Sequence, residues 1–132
     1  MMNNVTSRTR LTGRILSGLA VAFLSFDAAM KLLQLSAAVQ GTTELGYPAR
    51  VVLPLGLLQL ILLVIYCVPR TSVLGAILWT GYLGGAIATH VRLSNPLFTH
   101  VLFPVYVAAL LWGGLWLRNA ALRVLLPLER RG

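Results

Sequence analysis

A chain of 132 residues that is 58% hydrophobic, only 11% charged and has a mean hydropathy of +0.82 is too apolar for a water-soluble globule, because soluble domains carry about a quarter charged residues. Eleven basic residues against three acidic ones, Asp27, Glu44 and Glu129, give a net charge of +8, yet the arginines sit singly or in small clusters between apolar runs, which excludes the basic face that nucleic acid requires. The single cysteine, Cys67, excludes an internal disulfide or a dithiol redox pair. The length suits one domain over residues 1–132. The pattern predicts an all-α polytopic membrane protein, a four-transmembrane-helix antiparallel bundle with spans at about 11–38, 48–68, 71–92 and 97–118.

The first span runs through the apolar block 15–26, then meets Asp27 and Lys31 before ending near Ala38. A cleaved signal peptide is the competing reading, since Arg8, Arg10 and Arg14 precede an apolar core and Ser36-Ala37-Ala38 resembles a small-residue cleavage site. The stretch from Phe26 to Ala38 is long for that, and it contains two charges. Residues 39–47, with Gln40-Gly41-Thr42-Thr43-Glu44, read as a polar loop.

Nineteen uncharged residues separate Arg50 from Arg70, and twenty-one separate Arg70 from Arg92. At about 1.5 Å per residue each run crosses a hydrocarbon core of roughly 30 Å. Ser94-Asn95-Pro96 reads as a turn before the fourth span. The short links at Pro69-Arg70-Thr71 and at 93–96 make the joined helices antiparallel neighbours. One end then carries Arg8, Arg10, Arg14, Arg70, Arg118, Arg123, Arg130 and Arg131, and the other Lys31, Arg50 and Arg92. That bias places both termini in the cytoplasm and the 39–47 loop outside. Trp112, Trp116 and Tyr66 are expected at the inner headgroup level as an aromatic belt.

Ionisable residues at depth normally face the bundle interior and find a partner. Asp27 lies about 18 Å into the first span if the core starts near Ile15, and Lys31 and Gln34 follow at i+4 and i+7, so the three form one polar stripe. In the plainer interpretation Asp27 neutralises Lys31, whose stem snorkels outward. In the functional interpretation the stripe lines a polar cavity opening outward. His90, Arg92, Asn95 and His100 converge at that level, and Tyr82 sits two turns below His90 on the same face. Each histidine could equally bond a loop carbonyl or a headgroup. A paired-histidine haem site on His90 and His100 is disfavoured, because hairpin neighbours rarely leave the width of the macrocycle between them. The metal-binding spacings His-x-x-x-His and Glu-x-x-His are missing from the sequence.

Gly81-x-x-x-Gly85 allows a neighbouring backbone, of this chain or another copy, to come close. Pro54 and Pro104 lie inside the second and fourth spans near the outer end, where each frees a carbonyl and bends its helix, widening the bundle outward.

Several blocks carry a family resemblance: Pro69-Arg70-Thr71 with Leu74-Gly75-Ala76-Ile77-Leu78, Thr80-Gly81-Tyr82-Leu83-Gly84-Gly85-Ala86, Ala88-Thr89-His90-Val91-Arg92 and His100-Val101-Leu102-Phe103-Pro104. Phe26-Asp27-Ala28-Ala29-Met30-Lys31 and Trp112-Gly113-Gly114-Leu115-Trp116-Leu117-Arg118 fit as well. Over roughly residues 13–128 the chain resembles the DoxX-like family of small bacterial integral membrane proteins. The resemblance implies a four-helix bundle of the bacterial cytoplasmic (inner) membrane, distantly related to a subunit of a thiosulfate:quinone oxidoreductase. It supplies no catalytic residues, and whether the chain is an enzyme stays open.

Three functions fit. The first is a redox accessory subunit that binds a quinone or similar amphipathic molecule, with Asp27, Lys31, Tyr82, His90, Arg92 and His100 as candidate ligand-binding residues and a membrane redox partner. The second is a small cation or drug transporter using Asp27 as counter-ion, against which stand Lys31 and the fixed orientation. The third is a structural or assembly subunit, associating through Gly81 and Gly85.

Overall fold

The computed structural model describes residues 7–125. It is built of α1 (Ser7–Leu32), α2 (Ser36–Glu44), α3 (Val52–Cys67), α4 (Ser72–Arg92), α5 (Phe103–Arg118) and α6 (Ala120–Leu125). Short 3₁₀ turns precede α3 and α4, and a five-residue π segment, Leu97–Val101, precedes α5. Four stretches are long and apolar enough to cross a membrane: Ser7–Leu32, Ala49–Cys67, Pro69–Arg92 and Leu97–Arg118. The protein is therefore a multi-pass, all-α membrane bundle, and three of the four spans lie where the charge-free runs predict them.

The first span differs. It ends at Leu32 rather than near Ala38, because Gln34 adopts the left-handed conformation (φ +49°) and Leu35 N–H closes back on Met30 O, a Schellman-type stop. The expected 39–47 loop is largely helical, since α2 occupies Ser36–Glu44 and the chain turns at Gly46 (φ +91°). The Gln34 position is consequently not the third step of a helical stripe; it is exposed in the turn.

Helix α1 packs on α3 and α5, and α4 packs on the same two, so the spans form an up-down-up-down square with α1 and α4 on one diagonal. The inner face of α1 is made of Gly13, Ser17, Ala20, Leu24 and Ala28, mostly small residues at helical spacing that let α5 approach closely. The contact is tightest where Gly13 and Gly114 meet backbone to backbone. Between the helices Leu62, Leu63, Tyr66, Ala76, Trp79, Leu83, Val107, Leu111 and Leu115 fill the core. The periphery is as apolar as the centre, with Leu11, Ile15, Leu19, Phe23 and Phe26 exposed along α1, the arrangement expected where the solvent is lipid.

Tyr66 is not at a headgroup belt. It is 1% exposed, and its hydroxyl donates to Leu111 O (2.7 Å) while lying 2.7 Å from Ser17 Oγ. Arg118 lies over the same ring, 5.8 Å from its centroid. The two prolines also differ from expectation in detail. Pro54 sits in the first turn of α3, where its missing N–H costs no intrahelical bond. Pro104, in the first turn of α5, directly follows the π segment and the break at Leu102, an irregularity characteristic of proline and π-bulges.

Candidate functional site

At the α2 end all four spans line a cavity of about 720 Å³, within the roughly 300–1,000 Å³ of small-molecule sites. Most of its wall is apolar, with Phe23, Leu24, Leu55, Leu83 and Val107 among the lining side chains. Helix α2 forms part of the rim. Its C-terminal end is tied to α4 by the Tyr47 hydroxyl, 2.8 Å from Thr89 Oγ1, and by Arg92, which donates to Leu45 O at 2.9 Å.

Asp27, Lys31, Tyr82, His90 and His100 all line this cavity. Arg92 does not. It is exposed and holds the α2 turn through the Leu45 carbonyl, so its place is at the rim. Asp27 and Lys31 form an i,i+4 ion pair, and Lys31 is the more enclosed, with its side chain 14% exposed. The ammonium therefore turns into the bundle rather than snorkelling to the surface.

The pair has a third member that charge-based reading passes over. Gln59 on α3 donates from Nε2 to Asp27 Oδ2 at 2.9 Å, the oxygen that also accepts from Lys31. Gln59 is 1% exposed, and its Oε1 has no hydrogen-bond partner among the described residues. Its signal in the sequence is faint but present: it is the sole amide in the uncharged run between Arg50 and Arg70.

The histidines meet at the other side of the cavity. Their rings are 5.6 Å apart, edge to face. The Asn95 amide nitrogen lies 2.8 Å from His90 Nδ1, and an amide nitrogen only donates, so a neutral His90 carries its proton on Nε2. His100 Nδ1 lies 2.8 Å from Thr99 Oγ1. Tyr82 packs edge to face on buried Trp79 at 5.3 Å. Among the described residues no group of three or more His, Cys, Asp or Glu is placed to hold a metal ion.

Among the described residues no other helix approaches Gly81 or Gly85. A Cβ on either would meet nothing within 4 Å, and both border the cavity. The close helix contacts are made by Gly75, against the Tyr66 backbone, and by Gly13 with Gly114.

Beneath the cavity Ala20, Leu62, Leu63, Ala76, Trp79 and Leu111 are all buried. This layer separates the Asp27 group from the Ser17–Tyr66–Arg118 contacts nearer the other membrane face. The arrangement can therefore hold an amphipathic molecule with its polar group against Asp27, Lys31 and Gln59 and its body along the apolar wall.

The family model of the DoxX-like family matches residues 15–114 of the chain. No curated protein and no solved structure matches it. The chain belongs to the DoxX-like family of integral membrane proteins.

Proposed function

We propose that this DoxX-like protein is a redox accessory subunit whose cavity binds a quinone or a similar amphipathic molecule from the bilayer, presenting it to a membrane redox partner. The observation that carries the reading is the Asp27–Lys31–Gln59 group on the wall of a largely apolar cavity of about 720 Å³. Buried polar groups in lipid are costly unless partnered, and here they cluster where a ligand's polar head would lie. Tyr82, His90 and His100 line the same space and supply further hydrogen-bonding groups. The apolar layer beneath makes the cavity one-sided, which supports binding over passage of a cation.

In this reading the membrane is the bacterial cytoplasmic one. Both termini face the cytoplasm and the cavity faces outward, because Arg8, Arg10, Arg14, Arg70, Arg118 and Arg123 gather at the end opposite Lys31, Arg50 and Arg92. Arg130 and Arg131, counted with the first group, lie outside the described residues. Gly81 and Gly85 serve the cavity wall, and self-association through them would narrow access to it.

The test is mass spectrometry of small molecules retained by protein purified in mild detergent. A quinone, in its oxidised or its hydroquinone form, enriched over the detergent background, and depleted in Asp27→Asn, Gln59→Leu or His90→Ala, is expected. Preparations of wild type and variants equally free of quinone would overturn the reading.

A further inference from the structure

We infer that the ligand presents a hydroxyl group to the Asp27–Gln59 wall, as the hydroquinone form of a quinone does, so that the cavity selects neutral amphiphiles with a phenolic or alcoholic head over carbonyl or ether heads of similar shape. The inference rests on the reading of the cavity as an amphiphile site and specifies what that site recognises.

Donors and acceptors at this wall are out of balance. The orientation of the Gln59 amide is fixed by its neighbour: only Nε2 can donate to Asp27 Oδ2, and the flipped amide would set two acceptors against each other. Oε1 is thereby pinned as an acceptor without a donor, on a side chain 1% exposed at the cavity wall. Both donors to Asp27, from Lys31 and from Gln59, fall on Oδ2, so Oδ1 is a second acceptor with none among the described residues. On the donor side, Lys31 directs one of its three ammonium protons to Asp27, and the Tyr82 hydroxyl makes no hydrogen bond among the described residues.

Charge then narrows the choice. Asp27 and Lys31 cancel, so this wall draws neither a cation nor an anion; the other carboxylate lining the cavity, Glu44, is exposed at the α2 rim, away from this wall. An ammonium head would donate to the free acceptors but compete with Lys31 for the carboxylate. A carbonyl or ether head would accept from Lys31 or Tyr82 and leave Gln59 Oε1 and Asp27 Oδ1 as they are. Of these heads a hydroxyl alone does both, donating to a free acceptor while accepting from Lys31 or Tyr82.

The experiment is equilibrium dialysis of the full chain in lipid nanodiscs against three matched probes, with empty nanodiscs subtracted and bound probe quantified by mass spectrometry. The probes are 4-pentylphenol, its methyl ether and pentyl-1,4-benzoquinone. Binding of the phenol about tenfold tighter than either of the others is expected, as for one net hydrogen bond to the free Gln59 Oε1. The preference should shrink to about twofold in Gln59→Leu, whose single lost group leaves Asp27 and Lys31 paired. Equal binding of all three probes, or tighter binding of the ether or quinone, would overturn the hydroxyl inference while leaving the amphiphile site standing. No binding of any probe above empty nanodiscs would overturn both. The wild-type comparison stands without the variant, so a poorly folding Gln59→Leu chain does not shield the inference.

Discussion

Alanine at Gly114 strikes the close contact between α1 and α5, and the geometry sets the size of the effect. A Cβ there would fall against the Ser17 hydroxyl and lie 2.7 Å from both Gly13 O and Ser17 N. Ordinary contact begins at 3.4 Å, so α1 and α5 must part by about 0.7 Å. Two of the three obstacles are backbone atoms, which cannot swing aside as a flexible side chain would. Overpacking of this kind costs about 1–3 kcal/mol. Displacing Ser17 also weakens its contact with the Tyr66 hydroxyl, worth about 1 kcal/mol more. Gly81→Ala is the matched control, because a Cβ there meets nothing within 4 Å and stability should stay within about 1 kcal/mol of wild type. Unfolding by sodium dodecyl sulfate in bicelles, followed by tryptophan fluorescence, reads both. Gly114→Ala should unfold at clearly lower detergent fraction than Gly81→Ala. Coincident curves for Gly114→Ala and wild type would refute the α1–α5 packing described here.

Further predictions concern the polar groups and the orientation. Tyr66→Phe removes the hydroxyl that donates to Leu111 O and should cost about 1–2 kcal/mol in the same unfolding assay; an unchanged midpoint would mean the bond is not formed in the bilayer. Asp27→Leu leaves the Lys31 ammonium enclosed without its carboxylate and should lower stability by about 3 kcal/mol, while adding Lys31→Met should recover most of the loss. A double variant no more stable than the single would contradict the pairing. Cys67 is exposed at the end of α3, one hairpin from Arg70, so a membrane-impermeant maleimide should label it in inverted vesicles but not in intact spheroplasts. The reverse pattern would invert the proposed orientation.

How much of this was legible in the sequence depends on what kind of signal each feature carries. Runs of uncharged residues between arginines place the second, third and fourth spans because bilayer thickness dictates their length. The Asp27–Lys31 pair was visible for the same reason, as two charges four residues apart in an apolar run are conspicuous. The His90–His100 contact followed from the tight turn that separates them. Helix α2 was hidden by its composition, since Gln40-Gly41-Thr42-Thr43 reads as loop and nine residues are too few for a periodic signal. Gln59 was hidden because a neutral amide leaves the charge pattern untouched, although it completes the Asp27 group from another helix. Small-residue spacing showed that helices could approach closely, but not which glycines do so. Gly114 and Gly75 are packed against backbone while Gly81 and Gly85 face open space, a difference set by how the helices are rotated about their axes.

The proposed function requires a cavity entered from the α2 end and closed beneath by the buried layer around Ala76 and Trp79. Its most direct test is thiol accessibility of Gly81→Cys in a Cys67→Ser background, using a small, membrane-impermeant methanethiosulfonate added to one membrane face at a time. Gly81 borders the cavity and has room for the side chain. Modification from the α2 face alone is the predicted result. Modification from the opposite face, or from neither, would rule out a cavity entered from the α2 face.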